Sequence, residues 1–537
     1  MQLTIAQIAA FSQALTIVPA RDAQRVVQRV VWDTRALQPG TLFVALPGER
    51  ADGNDFIREA FEKGAAAVVA SRQVVEAERF AAERHKAALL YAPDGLLALQ
   101  RLASAWRGQL DAQVVGITGS SGKTSTKALV SAVLERAFLT VSSLGNRNNE
   151  VGLPATVLSA SLATEALVVE MAMRGRGQIA DLCAIARPQT GIVTNVGPVH
   201  LELLGTKDNV ARAKAELVEA LPDGRGVAVL GGDDPYTPLI REVARTAERD
   251  LRVLLFGLGA HNDIRATAIE YDEAARPSFD LWLPDGDPRR VRLRLQGRHS
   301  VVNALAAAAA GTSLGVPASQ LVSALEQVQP VPMRQVEHGL DDGTLLIDDT
   351  YNANPDSMRA ALELLGRFPA GRLRVAVLGD MGELGEGEAA LHEGVGAAVR
   401  QNGIDVLVCV GARARSYAQG ARAAGMDGAS VVVCDDIEGA AATLAPLRDE
   451  APVILVKASR FMRLERLVTL LIEGRHDDGQ PPEGRNDDGQ DGQAPGGGGD
   501  AEAMWYAERD GQAPEGGQAI DDGQTPDDGQ DEEEGAP

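Results

Sequence analysis

Three side chains in the first half of the chain, Lys123, Glu170 and His200, have types and settings suited to phosphate chemistry. The densest signal is the run Val114-Val115-Gly116-Ile117-Thr118-Gly119-Ser120-Ser121-Gly122-Lys123-Thr124-Ser125. An apolar strand enters a Gly/Ser-rich turn, and a helix is expected to start at Lys123. Glycines let the backbone curl so that its N–H groups face an anion, and a helix N-terminus adds partial positive charge. Lys123 is placed to reach terminal phosphates, and the Thr124 hydroxyl to bind Mg²⁺. The strict phosphate-loop consensus is not met. Ile117 stands where its first glycine belongs, and Gly119 sits three residues before Gly122. Alone, the motif implies nucleotide-phosphate binding and does not separate a kinase, a motor, a GTPase or a ligase.

Glu170 closes the apolar run Leu167-Val168-Val169. A carboxylate at the C-terminal end of a strand is well placed for a metal in an open α/β sheet, and equally for solvent. His200 follows a strand and the turn Gly197-Pro198. Its imidazole suits a divalent ion or a loop cap. Lys214 lies on an expected helix and by spacing alone reads as a surface lysine, as does Lys207.

The elements that must position these groups alternate short apolar runs with helical patterns, which argues for α/β units. Strands are expected at 41–46, 66–70, 113–118, 166–170, 190–195, 226–230 and 253–256. The stretch 279–283, Pro-Asp-Gly-Asp-Pro, 291–295 reads as a β-hairpin. Helices are expected at 56–64, 96–108 and 301–311. Strands at 344–348, 373–378, 406–410, 430–434 and 452–457, with helices between, repeat the rhythm. Three globular pieces are expected, 1–92, 93–328 and 329–474, the central one with a mostly parallel sheet and the last Rossmann-like. Gly379-x-x-Gly382-x-x-Gly385 lacks the G-x-G start of a dinucleotide fingerprint and reads as a structural turn.

The 537 residues exceed what one hydrophobic core sustains. The net charge of −23 is uneven. Residues 475–537 carry 19 acidic and 3 basic side chains, and the preceding 474 carry 56 and 49. The tail repeats Asp-Asp-Gly-Gln at 477, 487, 521 and 527. It cannot bury enough apolar surface to offset its ordering entropy, so disorder is expected. The mildly acidic body argues against nucleic acid. Cys183, Cys409 and Cys434 are too dispersed for a disulfide framework and read as small buried hydrophobes. No signal peptide and no apolar run of spanning length is evident, so a cytoplasmic protein without membrane insertion is expected.

Taken in order, several segments resemble the Mur ligases. They are Thr118-Gly119-Ser120-x-Gly122-Lys123-Thr124, Glu170, Asn195 through His200-Leu201-Glu202, and Lys214 within Ala-Lys-Ala-Glu-Leu. Gly297-Arg298-His299-Ser300-x-x-Asn303, Pro332-Met333-Arg334 and Lys457-Ala458-Ser459-Arg460 continue the pattern. So do Asp349-Thr350-Tyr351-Asn352-Ala353-Asn354-Pro355-x-Ser357-Met358 and Gly379-Asp380-Met381-x-Glu383-Leu384-Gly385. The resemblance spans about residues 30–470. That family's phosphate loop departs from the strict consensus in the same way. The last two segments and Asn146-Arg147-Asn148-Asn149-Glu150-Val151-Gly152-Leu153-Pro154 look like the members that add D-alanyl-D-alanine to a UDP-N-acetylmuramoyl-tripeptide. The segment from Asp33 through Arg50 is similar to the uridine-nucleotide domain that those members share with the tripeptide-forming relative. Ala458, where glycine is commoner, and the acidic tail depart from the pattern.

The resemblance implies an ATP- and Mg²⁺-dependent ligase that works through an acyl-phosphate. By residue match, Thr118 to Thr124 cradle the phosphates and Lys123 binds the γ-phosphate. Thr124 and Glu170 take a first Mg²⁺, and His200 a second. Lys214 matches a lysine that some members carbamylate. Asn303 faces adenine, Asp349 the ribose and Arg334 the phosphates. Thr34, Arg35, Asn148 and Asn149 look like contacts to the UDP-linked peptide, and Asn352, Asn354, Lys457, Ser459 and Arg460 belong around the dipeptide. A monomer is expected. The rival readings are another Mur-type ligase, a folylpolyglutamate-synthase-like ligase, and a non-catalytic nucleotide-binding regulator.

Overall fold

The computed structural model describes residues 1–48, 51–369 and 371–473. The expected disorder of 475–537, together with Glu49 and Arg50, lies outside the described residues. The chain forms three α/β layers, each built on its own sheet.

The first sheet has five strands: β1 (Leu15–Val18), β2 (Val30–Val31), β3 (Leu42–Val44), β4 (Ala67–Ala70) and β5 (Ala88–Tyr91). Their order is β1-β5-β4-β3-β2, parallel except for β1. The second has nine: β6 (Gln113–Thr118), β7 (Thr140–Ser142), β8 (Ala166–Glu170), β9 (Thr190–Val193), β10 (Val227–Gly231), β11 (Arg252–Gly257), β12 (Ile264–Tyr271), β13 (Pro277–Trp282) and β14 (Arg289–Arg292). They run in the order β14-β13-β12-β11-β10-β9-β6-β8-β7. Strands β7 to β12 are all parallel to their neighbours along that order, and β12-β13-β14 close the edge as an antiparallel meander. The mostly parallel sheet expected from the sequence is present, and the antiparallel hairpin sits at its edge.

The third sheet contains β15 (Val336–Gly339), β16 (Leu345–Asp349), β17 (Arg374–Gly379), β18 (Val406–Val410), β19 (Val431–Cys434) and β20 (Val453–Lys457). Its order is β15-β16-β20-β17-β18-β19, parallel apart from β15.

The buried strands β6, β8, β17 and β20 read as nearly continuous Val/Ile/Leu runs because helices cover both of their faces. Below the central sheet, Trp106 is fully buried, and its indole N–H donates to the Ala160 carbonyl at 3.0 Å. Above it, the helix Lys123–Leu134 buries Leu129, Val130, Val133 and Leu134 in one cluster with Val301 and Ala304 to Ala310 of the helix Gly297–Ser313. Small residues along that second helix let the two approach closely. The three cysteines are free and buried.

Candidate functional site

The strand order creates the site. Strand β6 has β8 on one side and β9 on the other, so the connections leaving β6 and β9 diverge at their C-terminal ends. In open α/β sheets ligands bind in that crevice. The phosphate loop leaves β6 there, Glu170 ends β8, and Thr194 and Asn195 follow β9.

The loop can turn only because of its glycines. Gly119 has φ +155°, and a Cβ there would lie 1.7 Å from Thr194 Oγ1. Gly122 has φ +76°, and its Cβ would meet Asn303 Oδ1 at 2.6 Å. The segment after β9 stitches the turn. Thr194 Oγ1 donates to the Ser121 carbonyl at 2.7 Å, and Asn195 Oδ1 accepts from Ser121 N–H at 3.0 Å. Gly197 N–H donates to Ser120 Oγ at 2.8 Å. A helix of three turns then starts at Lys123, leaving its first N–H groups without intrahelical partners.

Lys123 Nζ folds back to the Gly119 carbonyl at 2.9 Å. Burial pulls its pKa below the ordinary lysine value, against the pull of the Glu170 carboxylate. Thr124 Oγ1 donates to Glu170 Oε2 at 3.0 Å, and Asn148 Nδ2 donates to Glu170 Oε1 at 2.8 Å. Glu170 is buried, which would raise its pKa. Lys127, Lys123 and Arg334 outweigh that and hold it below the ordinary glutamate value, so it is an anion.

His200 sits in the left-handed region at φ +54°, and Glu383 faces it at φ +60°. Its Nδ1 pairs with Glu383 Oε2, whose other oxygen lies 3.5 Å from Arg174 Nε. Non-glycine residues hold such backbone only where their surroundings over-determine it, and such positions cluster at functional sites. Here they bring the third layer onto the second. Burial lowers the His200 pKa, with Glu383 opposing.

Lys214 corrects the reading from spacing. It is buried, 1 % exposed, on the inner face of the helix Lys207–Glu219. No hydrogen bond or ion pair holds its ammonium among the described residues, and burial followed by repulsion from Lys123 drives its pKa well below the lysine value. Lys207, at the start of the same helix, is exposed as expected.

The third layer reaches over the loop. Arg334 Nη2 donates to Thr124 Oγ1 at 2.9 Å and stacks 4.1 Å over the Tyr351 ring. Met333 and Gln335, at φ +59° and +55°, turn the backbone on either side of it. Asp349 ends β16 in register with Lys457 at the end of β20, and the two pair at 2.8 Å. Lys457 also donates to the Asn352 carbonyl at 2.9 Å. Asn354 caps the helix Pro355–Gly366, and its amide comes within 3.5 Å of the Ser120 carbonyl. Ser459 Oγ accepts from Gly382 N–H at 3.0 Å, and Arg460 pairs with Glu465 at 3.0 Å.

One cavity of about 1250 Å³ is lined by Ser120 to Thr124, Asn148, Asn149, Glu170, His200, Asn303, Arg334, Asp349, Asn352, Asn354, Lys457, Ser459 and Arg460. It joins the second and third layers. Lys214, Thr118 and Gly119 lie behind its wall. Thr34 and Arg35 lie outside it, at the edge of the first layer. Arg35 is paired with Asp33 at 2.6 Å, and the Thr34 carbonyl accepts from Lys63 at 3.0 Å. Three contributors have no role in the sequence reading: Lys127, Asn195 as the loop's anchor, and Glu383. Lys127 falls four residues after Lys123, the spacing of one helix face, which is the signal that points to it.

Among the described residues no group of three or more His, Cys, Asp or Glu side chains forms a ready metal cluster. What the cleft offers is a hydroxyl and an anionic carboxylate beside a phosphate-binding turn. Mg²⁺ is ordinarily held that way, by one or two protein oxygens plus substrate phosphates.

Family models match three parts of the chain: the Mur ligase family catalytic domain over residues 26–107, the Mur ligase middle domain over 117–311, and the Mur ligase glutamate ligase domain over 333–460. The chain belongs to the Mur ligase family. A UDP-N-acetylmuramoyl-tripeptide--D-alanyl-D-alanine ligase of Mycobacterium tuberculosis is 40% identical over 506 residues, covering 88% of this chain and 98% of that protein. Its counterpart in Escherichia coli is 35% identical over 455 residues, 84% of this chain and 95% of that one. Among solved structures, MurF from Acinetobacter baumannii superposes with a TM-score of 0.78 at 31% identity, covering 88% of this chain and 99% of that one. MurF ligase from Thermotoga maritima in complex with ADP gives 0.71 at 31%, covering 83% and 97%. No described helix is long and apolar enough to cross a membrane.

Proposed function

We infer that the protein is an ADP-forming ligase that joins the terminal carboxylate of UDP-N-acetylmuramoyl-tripeptide to the amine of D-alanyl-D-alanine, giving the pentapeptide precursor of peptidoglycan. The observation that carries this is the single cavity in which a phosphate-binding turn, a buried Glu170 and the ends of β16 and β20 face one another. ATP would lie along Gly119–Thr124, with Asn303 toward adenine, Asp349 toward ribose and Arg334 toward the phosphates.

Amide formation from a carboxylate is uphill in water. Transfer of the γ-phosphoryl group to a carboxylate oxygen breaks the P–O bond to ADP and gives an acyl-phosphate. The free amine then attacks the carbonyl carbon, the tetrahedral intermediate expels phosphate, and the amine proton leaves to solvent. Both reactants of the first step are anions. Lys123 and Arg334 offset their repulsion in a cleft where charge interactions are strong. Thr124 and Glu170 would hold Mg²⁺, which when bound adds its own positive charge against the phosphates. His200 is our candidate for a second cation. Burial and repulsion from Lys123 favour the uncharged form of the Lys214 amine, the form that adds CO₂ with release of a proton, and the resulting carbamate would supply an anionic ligand for that cation. The Glu383–His200 and Arg334–Thr124 contacts close the third layer over the second, keeping water from the acyl-phosphate.

We assign residues 1–92 to the UDP-linked acceptor, 93–328 to ATP and 329–474 to closure and the dipeptide. Thr34, Arg35, Asn148 and Asn149 would contact the acceptor. Asn352, Asn354, Lys457, Ser459 and Arg460 would surround the dipeptide. The cavity is complete within one chain, which supports a monomer, and we place the reaction in the cytoplasm, where ATP is supplied. The test is phosphate release from ATP with UDP-N-acetylmuramoyl-tripeptide, with and without D-alanyl-D-alanine. Sustained release that needs both acceptors is expected, and release indifferent to either overturns the reading.

A further inference from the structure

The phosphate-loop helix carries a second buried lysine that the reaction above does not use. Lys127 lies one turn after Lys123, and its side chain is 7% exposed. A lysine that deep needs partners, and it has two. Its Nζ is 3.4 Å from Glu170 Oε2 and donates to the Gly145 carbonyl. Glu170 Oε1 is held by Asn148 Nδ2. One carboxylate is thus tied at one oxygen to a lysine that grips Gly145, and at the other to Asn148. Both belong to the segment 143–149.

That segment has further ties. Ala172 N–H donates to the Asn148 carbonyl at 2.9 Å, and Ser143 N–H to the Val168 carbonyl at 3.1 Å. Gly145 turns its carbonyl to Lys127 from a left-handed φ of +52°. At the far side the Arg147 guanidinium lies 5.5 Å over the Trp32 ring, next to Asp33, Thr34 and Arg35. The segment therefore bridges the first layer and Glu170. Lys127 does not line the cavity, so phosphate contact does not explain it.

We propose that Lys127 is a positioning residue that locks Glu170 to the segment 143–149, so that nucleotide and UDP-linked acceptor each strengthen binding of the other. Ordering the segment on the acceptor fixes Glu170 for the nucleotide's cation, and thermodynamic reciprocity requires the converse. This rests on the ligase reading above.

The experiment is calorimetric titration of the full chain with a non-hydrolysable ATP analogue and Mg²⁺, with and without saturating UDP-N-acetylmuramoyl-tripeptide. In the wild type the acceptor should tighten nucleotide binding by about fivefold or more. Lys127→Met should cut that coupling to within about twofold, while affinity for the analogue alone moves less; Lys127→Arg should keep part of it. Lys127→Gln, which keeps a donor for the Gly145 carbonyl but no charge beside Glu170, should weaken the same coupling, and it decides the matter if Lys127→Met does not fold. Undiminished coupling in these variants, or two ligands that bind the wild type independently, overturns the proposal and leaves the ligase reading standing. Failure of the wild type to bind the acceptor at all sinks the ligase reading instead.

Discussion

Arg334→Ala separates a role in phosphoryl transfer from a role in holding the layers together. The guanidinium reaches Thr124 Oγ1 at 2.9 Å, the atom we propose for the first Mg²⁺, and so would lie beside the terminal phosphates in that reading. One such preorganised contact contributes about 3 kcal/mol in the transition state, and a unit-charge pair about 4 Å apart at an effective dielectric of 20 gives about 4 kcal/mol. The variant should lose roughly a hundredfold in kcat. Its effect on folding is smaller. The stack on Tyr351 contributes about 1 kcal/mol, and removing Arg334 also relieves a repulsion that adds to burial in lowering the pKa values of Lys123 and Lys127. The assay is ADP formation at saturating substrates, with thermal unfolding as control. Arg334→Lys keeps the charge without the planar fork and should fall between. A kcat within about threefold of wild type, in a variant that unfolds at the wild-type temperature, would refute the placement of Arg334 at the phosphates.

Lys214→Met should abolish ligation yet raise the unfolding temperature at neutral pH in CO₂-free buffer. A folded-state pKa well below the unfolded value means that the unfolded chain binds more protons between the two, so wild-type stability rises with pH through that window. The variant should lose that slope, and an unchanged slope would count against a lowered pKa for the buried amine. His392 donates from Nδ1 to the Glu388 carbonyl at 2.7 Å and accepts from Met381 N–H on Nε2 at 3.0 Å, an arrangement that only the neutral ring can make. Burial lowers its pKa, so stability should drop as pH falls from the unfolded histidine value through the folded one. His392→Gln should flatten that part of the pH–stability curve. It should also lower kcat by loosening the turn that carries Glu383; wild-type behaviour in both would show that the turn needs no such pin.

The parallel strands were legible because burial on both faces leaves unbroken apolar runs, as in Val114–Ile117 and Val453–Val456. Strands with little to bury were not. Leu15–Val18 is an edge strand with two exposed residues, Thr140–Ser142 spans three, and Val336–Gly339 is Val-Glu-His-Gly. Ile264–Tyr271 alternates faces through alanines and charged residues, too weakly for an apolar pattern. In the site, the ordered motifs located Lys123, Thr124 and Glu170 within one cleft. What motif spacing could not convey is contact across the sheet. Glu170 meets Lys127 and Asn148 only because β8 lies between β6 and β7, and Lys214 is buried only because its helix turns that face inward.

The central claim is that ATP phosphorylates the peptide carboxylate before the amine arrives. It is tested by incubating the protein with ATP, Mg²⁺ and UDP-N-acetylmuramoyl-tripeptide in hydroxylamine, without D-alanyl-D-alanine, and analysing the products by mass spectrometry. A UDP-linked peptide hydroxamate with matching ADP, absent in Lys123→Ala, is the expected result. No hydroxamate under conditions where the wild type ligates the dipeptide, or AMP in place of ADP, would contradict it.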